Sequence, residues 1–176
     1  HPIEIGTLPD GNPDLVFRGF YVWNSETGSK TAGIASMYLR GVCMNRNLWG
    51  VEGFNEIKIR HTKFAPERFA EEAAPALASF ANGATANFMD GIAAAQSAKI
   101  AADDEEALSF LNQRAGLSKG MAKAAAARHL DEEQKPVRTI WDAAQAITAI
   151  ARDNPHQDSR LVIEKKAGAL LDKVVA

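Results

Sequence analysis

A change of hydrophobic period at Phe64 sets the strongest limit on what this chain can fold into. Before it, short runs rich in Val, Ile, Phe and Tyr alternate between apolar and polar positions, the period of a pleated strand with one buried face. After it, apolar residues recur three and four apart among many alanines, the period of helices that approach one another closely. Strands followed by helices make an α+β fold, with an antiparallel sheet in the N-terminal third and a helical C-terminal two thirds packed on it. Residues 1–176 read as a single domain, strand-rich over 1–63 and helical over 64–176, and long enough to bury a core.

Gly6, Pro9, Asp10, Gly11, Asn12, Pro13 and Asp14 concentrate turn chemistry at the start, so residues 1–14 read as an initial loop. Residues 15–23 and 31–42 read as neighbouring antiparallel strands around the polar, glycine-containing stretch 24–30. A turn is expected over 44–47, with more strand over 48–51 and 54–62. In the last of these, Ile57 and Ile59 alternate with Glu56, Lys58 and Arg60, so one face turns inward and the other toward solvent or a partner.

Pro66 suits a first helical turn, where its missing N–H costs nothing, and Glu67, Glu71 and Glu72 favour the positive end of a helix. Pro75 should kink or restart that helix. Leu77, Phe80, Ala84, Phe88, Ile92 and Ala95 then form a stripe that predicts one long helix to about Ala101. Asp103 or Asp104 can cap the next helix, ending near Gly116, and Ser118 an alanine-dense one over 119–133 that stops before Pro136. Thr139 and Asp142 have the spacing of a capping box for a helix to about Arg152. Asp158 is the expected cap of the last helix, whose Leu161, Ile163, Ala167, Leu170, Leu171 and Val174 supply a docking face.

The formal charge of −2 excludes a generally basic nucleic-acid coat, yet residues 27–63 carry a local balance of +4. Arg40, Arg46, Lys58, Arg60, His61 and Lys63, with Tyr38 and Trp49 among them, have the composition of a surface for single-stranded DNA or RNA. Cations follow phosphates there and rings stack on bases. The competing reading is a solvated basic strand face with both aromatic residues in the core.

Cys43 is the only cysteine, which rules out an internal disulfide and makes the cytoplasm the expected compartment. Arg40 is near enough in sequence to favour a thiolate, but a nucleophilic cysteine needs a base; His61 is the one internal histidine of the strand-rich part, and an inert buried thiol is the simpler reading. The four histidines are far apart, and the acidic runs at 103–106 and 131–133 read as helix-end and surface charge. Phosphate-cradling glycine loops are absent, as are membrane-length apolar runs. Asn24, Ser25, Glu26 and Gly28 fit a structural turn. No catalytic residue, metal or cofactor is assigned, and an enzyme is the less favoured class.

The run Asn24-Ser25-Glu26-Thr27-Gly28, the pattern Arg40-x-x-Cys43-x-Asn45, the triplet Arg60-His61-Thr62 and the stretch from Trp141 to Thr148 resemble, in order and spacing, the phage- and plasmid-like proteins grouped as domain of unknown function 932. The resemblance spans residues 17–171. It implies carriage on phage, plasmid or integrated mobile DNA, and it implies no catalytic residue. Family members look longer on the N-terminal side, which with the start at His1-Pro2 suggests a C-terminal portion of a longer protein. Where a glycine commonly follows the motif asparagine, Arg46 stands here.

The expected function is a non-enzymatic accessory protein of mobile DNA that binds single strands. An enzyme completed by a missing N-terminal segment, and a structural or protein-interaction module, are the alternatives. The oligomeric state is not legible in the sequence.

Overall fold

The computed structural model describes residues 2–8, 10–24, 31–41, 45–47 and 56–175. Strand β1, Ile3–Thr7, pairs antiparallel with β2, Pro13–Trp23. The turn residues of 1–14 predict a loop there, but 3–7 is strand. The turn chemistry is instead confined to the hairpin, where Asn12 donates from its N–H to Asp10 Oδ1 at 3.0 Å, and Gly11 donates to the Leu8 carbonyl. Gly6, at φ 155°, sits where the β1–β2 register shifts, a bulge that a side chain would strain.

Strand β3, Ala32–Arg40, runs antiparallel to β2 from Val16 opposite Arg40 to Trp23 opposite Gly33. Strands β4, Asn45–Asn47, and β5, Glu56–Ile59, share the remaining edge of β3. The first lies against Tyr38 to Arg40 and the second against Ala32 to Ala35. Residues 45–47 are thus strand where a turn was expected, because β3 offers them a free edge. The strand expected over 48–51 lies outside the described residues.

Even-numbered residues of β2 and β3 share the face that receives the helices. Tyr38 is fully buried there, its ring stacked on Phe88 at 3.9 Å and edge-on to Phe80 at 5.4 Å.

Helix α1, Ala65–Arg68, passes through a π-helical turn, Phe69–Ala73, into α2, Ala74–Asn82. Pro75 has no N–H for the preceding turn, and the chain widens into π geometry just before it rather than breaking. The single helix expected to reach about Ala101 is two. Helix α2 ends at Gly83, which is extended, and α3 is Ala86–Ser97. The break leaves helix-end carbonyls open, and the Arg18 guanidinium of β2 donates to those of Ala81, Gly83 and Ala84 at 3.3, 2.8 and 2.8 Å.

Helix α4, Asp104–Gln113, is capped by Asp103, which accepts from the Glu106 N–H; α5, Lys119–Glu133, is capped by Ser118. Helix α6, Ile140–Arg152, carries the expected Thr139–Asp142 capping box. Helix α7, Gln157–Val175, begins before Asp158, so that residue lies in its first turn rather than at its cap. The His156 N–H ahead of it is taken by Asn154 Oδ1 at 2.9 Å.

Helix α6 is the centre of the molecule. It touches α3, α5, α7 and β4, and Ala143, Ala144, Ala146, Ile147, Ala149 and Ala151 are all buried on it. Small side chains let neighbouring backbones close in from several sides.

Candidate functional site

Arg40 ends β3 on the inward face, and no cation can sit there unpaired without a large desolvation cost. Its Nε lies 2.9 Å from Asp14 Oδ1 and its Nη2 2.6 Å from Asp14 Oδ2, across the sheet on β2. From the other side, Glu133 at the end of α5 accepts from Nη1 and, at 3.1 Å, from Nη2. Burial pulls the Arg40 pKa down, but hydrogen bonds and charge from Asp14 and Glu133 outweigh it and raise the guanidinium above its ordinary value. Arg40 therefore clamps sheet to helix. A cleft of about 330 Å³ opens beside the clamp, lined by Asp14, Arg40, Gln96, Glu133, Lys135 and Trp141 among others.

Close by, Asp142 at the start of α6 is buried with its Oδ2 accepting from the N–H groups of Arg138 and Thr139 at 3.1 and 3.0 Å. Lys135 Nζ lies 2.8 Å from Oδ1, and the buried His129 Nε2 lies 3.6 Å from the same oxygen. Desolvation would raise this carboxyl, but the adjacent His129, the Lys135 ammonium and the Arg138 N–H outweigh it and hold it well below the usual carboxylate range.

Arg46 on β4 is also buried. Its Nε donates to Glu164 Oε1 of α7 at 2.7 Å, and the same oxygen accepts from Arg160 Nε at 2.8 Å. The Arg46 guanidinium carbon lies 4.8 Å from the centroid of the Tyr21 ring. Arg40 and Arg46 are thus interior connectors: Arg40 is held by Asp14 and Glu133, and Arg46 by Glu164, which it shares with Arg160.

The other four candidate cations are on the surface. Ile59 of β5 is buried, which turns Lys58 outward, and Arg60, His61, Thr62 and Lys63 are exposed where the chain leaves the sheet. Phe64 follows with 57% of its surface exposed, and Lys63 Nζ lies 4.9 Å from its ring centroid. Phe64 entered the sequence reading only as a helix start. It stands just ahead of α1, whose first residue is Ala65. Of the two aromatics that reading named, Tyr38 is core and Trp49 lies outside the described residues.

Of the described motif residues, Arg40 and Asn45 lie opposite one another across β3 and β4. Asn24 is exposed at the end of β2, Ser25, Glu26, Gly28 and Cys43 lie outside the described residues, and Asn45 stands in β4. Arg40 and Trp141, a hundred positions apart in the motifs, do meet at the cleft beside the clamp. Among the described residues, no group of three or more His, Cys, Asp and Glu is placed to hold a metal, and no helix is long and apolar enough to cross a membrane.

A five-stranded antiparallel sheet joined to a helical layer by buried ion pairs defines an α+β protein with a basic exposed segment at one strand exit. The chain belongs to the family described as Domain of unknown function (DUF932), whose profile matches residues 3–166. The match takes in β1, ahead of the residue at which the sequence resemblance began, and covers most of the chain. No curated protein and no solved structure matches it.

Proposed function

We propose that the protein binds single-stranded nucleic acid through the exposed segment from Lys58 to Phe64. The observation that carries this reading is an exposed aromatic ring set directly after a run of exposed basic residues: Phe64 beside Lys63, with Arg60 and His61 before them. Cations there follow phosphates without regard to sequence, and an open ring face stacks on any base. Arg40 and Arg46 take no part, since their guanidinium groups are committed to buried carboxylates. The family resemblance adds the setting, an accessory protein carried on phage, plasmid or other mobile DNA.

Fluorescence anisotropy with labelled oligothymidine and oligouridine, followed from about 50 to 200 mM salt, tests the reading. Binding should weaken steeply with salt. Changing Lys58, Arg60 and Lys63 together to alanine should flatten the log–log salt slope by about 2, at roughly 0.7 per lost phosphate contact on a single strand. Phe64→Ala should weaken binding about tenfold while leaving the slope unchanged, as expected for a lost stacking platform. No anisotropy change at the lowest salt, or a triple variant that binds like the wild type, would overturn it.

A further inference from the structure

Helix α5 lines its side of the join to α4 with Ala122, Ala126 and Ala127, and side chains this small leave space between the two helices. A groove results. Its wider part, about 290 Å³, is bordered by Leu108 of α4, Leu130 of α5 and the buried Ala107 and Val137. A second part, about 260 Å³, shares Leu108 and Lys123 with the first and continues toward Asn112 and Lys119. Leu130, apolar as it is, stays 52% exposed beside this groove.

The left-handed Gln134 turns the chain back at the end of α5 and brings Pro136 and Val137 against the wider part. That segment is pinned, because the Ile100 N–H donates to the Arg138 carbonyl at 2.9 Å and Lys99 pairs with Thr139. The groove is therefore stopped by a fixed wall, which suits a small molecule better than a helix that must run through. Asp104, Glu105, Lys119 and Lys123 stand along it, and Arg138 Nη2 holds Asp104 Oδ1 at 2.7 Å, so these groups together leave one positive charge over. Lys123 is exposed where the two parts meet and makes no hydrogen bond or ion pair among the described residues.

We propose that the α4–α5 groove binds a medium-chain carboxylate, with the apolar chain in the wider part against Leu108, Leu130 and Val137 and the anionic head at Lys123. Lys123 and Leu130 are seven residues apart on one helix, about 10 Å at roughly 1.5 Å per residue, the span of an octyl chain. The chain takes apolar surface of Leu130 out of water, and the carboxylate gives the ammonium a charged hydrogen-bond partner. An uncharged chain of equal length supplies only the first of these, and a cationic one is repelled. The groove lies on other elements than the segment from Lys58 to Phe64, so the proposal is independent of nucleic-acid binding.

Isothermal titration calorimetry of the whole chain with sodium octanoate tests this. Octanoate should bind with a Kd below about 1 mM and a negative heat-capacity change. Octanol should bind about threefold more weakly, the size of an exposed charge pair, and octylamine more weakly still. In Lys123→Gln the preference for octanoate over octanol should vanish while octanol binds as before. Ala127→Phe, at an already exposed position, should fill the groove and remove binding of both ligands with unchanged circular dichroism. No heat with octanoate, a preference that persists in Lys123→Gln, or binding undiminished by Ala127→Phe would overturn the proposal. So would an acidic amphipathic helical peptide that binds the groove and is not displaced by octanoate. If Ala127→Phe does not fold, the comparison of octanoate with octanol in wild type and Lys123→Gln decides.

Discussion

Arg40 and Glu133, 93 residues apart in sequence, are joined by two hydrogen bonds where β3 meets the end of α5. With Asp14 on the far side, this triad ties sheet and helices at a point where water is nearly excluded. Removing the cation leaves the buried Asp14 and the partly buried Glu133 carboxylates facing each other. Arg40→Ala should therefore cost about 3–5 kcal/mol in urea unfolding, whereas replacing all three members together by apolar residues of similar volume should cost much less. Equal losses in the two proteins would show that the triad is not a coupled unit.

Asp142 gives the acid limb of the stability curve a predictable sign. Its folded pKa is depressed, so its stabilisation is fully present above the unfolded value of about 3.9 and is lost as pH falls through the folded pKa. Asp142→Asn should lower stability at neutral pH by about 1–3 kcal/mol. The gap between wild type and variant should hold steady above about pH 5 and close as the medium becomes more acid. A gap that widened on acidification would contradict the assignment.

Trp23 lies across Gly33, where an added Cβ would come within 2.1 Å of the indole. Gly33→Ala should therefore push the ring aside, costing about 1–3 kcal/mol, with a shift in tryptophan emission at the same time. A variant as stable as the wild type, with unchanged emission, would show that the close approach is not needed.

Gln134 ends α5 at φ 54°, in the left-handed region, while its Nε2 donates to the Asp131 carbonyl at 2.7 Å. Glycine holds that conformation without the Cβ clash, so Gln134→Gly should raise stability by up to about 1 kcal/mol despite the lost hydrogen bond. Thermal unfolding with no gain, or a loss, would count against the left-handed cap.

Arg46 separates fold from binding. Arg46→Ala leaves Glu164 with Arg160 as its remaining partner and should cost about 1–3 kcal/mol. Measured where the variant is still folded, its salt slope for oligonucleotide binding should match that of the wild type. A flattened slope would place Arg46 on the nucleic acid rather than in the core.

Much of this fold could be read because its causes are local. The Ser118 and Thr139 caps, the helix start near Pro66 and the β2–β3 pair each follow from side chains within a few residues of where they act. The break at Gly83 was harder. The apolar stripe runs through it, and the acceptor for Arg18 exists only because β2 passes that turn. The strand at 3–7 was hidden by the hairpin's own turn residues, although Ile3 and Ile5 alternate. For the candidate site, the cations were visible but their environment was not. Arg40 has the same parity as Ile34 and Tyr38, and an arginine on an apolar face is the one sequence signal that could have pointed to a buried pair.

The sequence by itself determined the α+β order, the Ser118 and Thr139 caps and the family, because hydrophobic period, capping chemistry and motif spacing are properties of neighbouring residues. Only the tertiary structure decided which cations are interior. Arg40 and Lys58 carry the same formal charge on strands of the same sheet, but Arg40 is interior because Glu133 arrives from 93 residues away, and Lys58 is exposed because of the outward turn of β5. A charge acquires its role from the dielectric and the partners around it, and long-range packing supplies both.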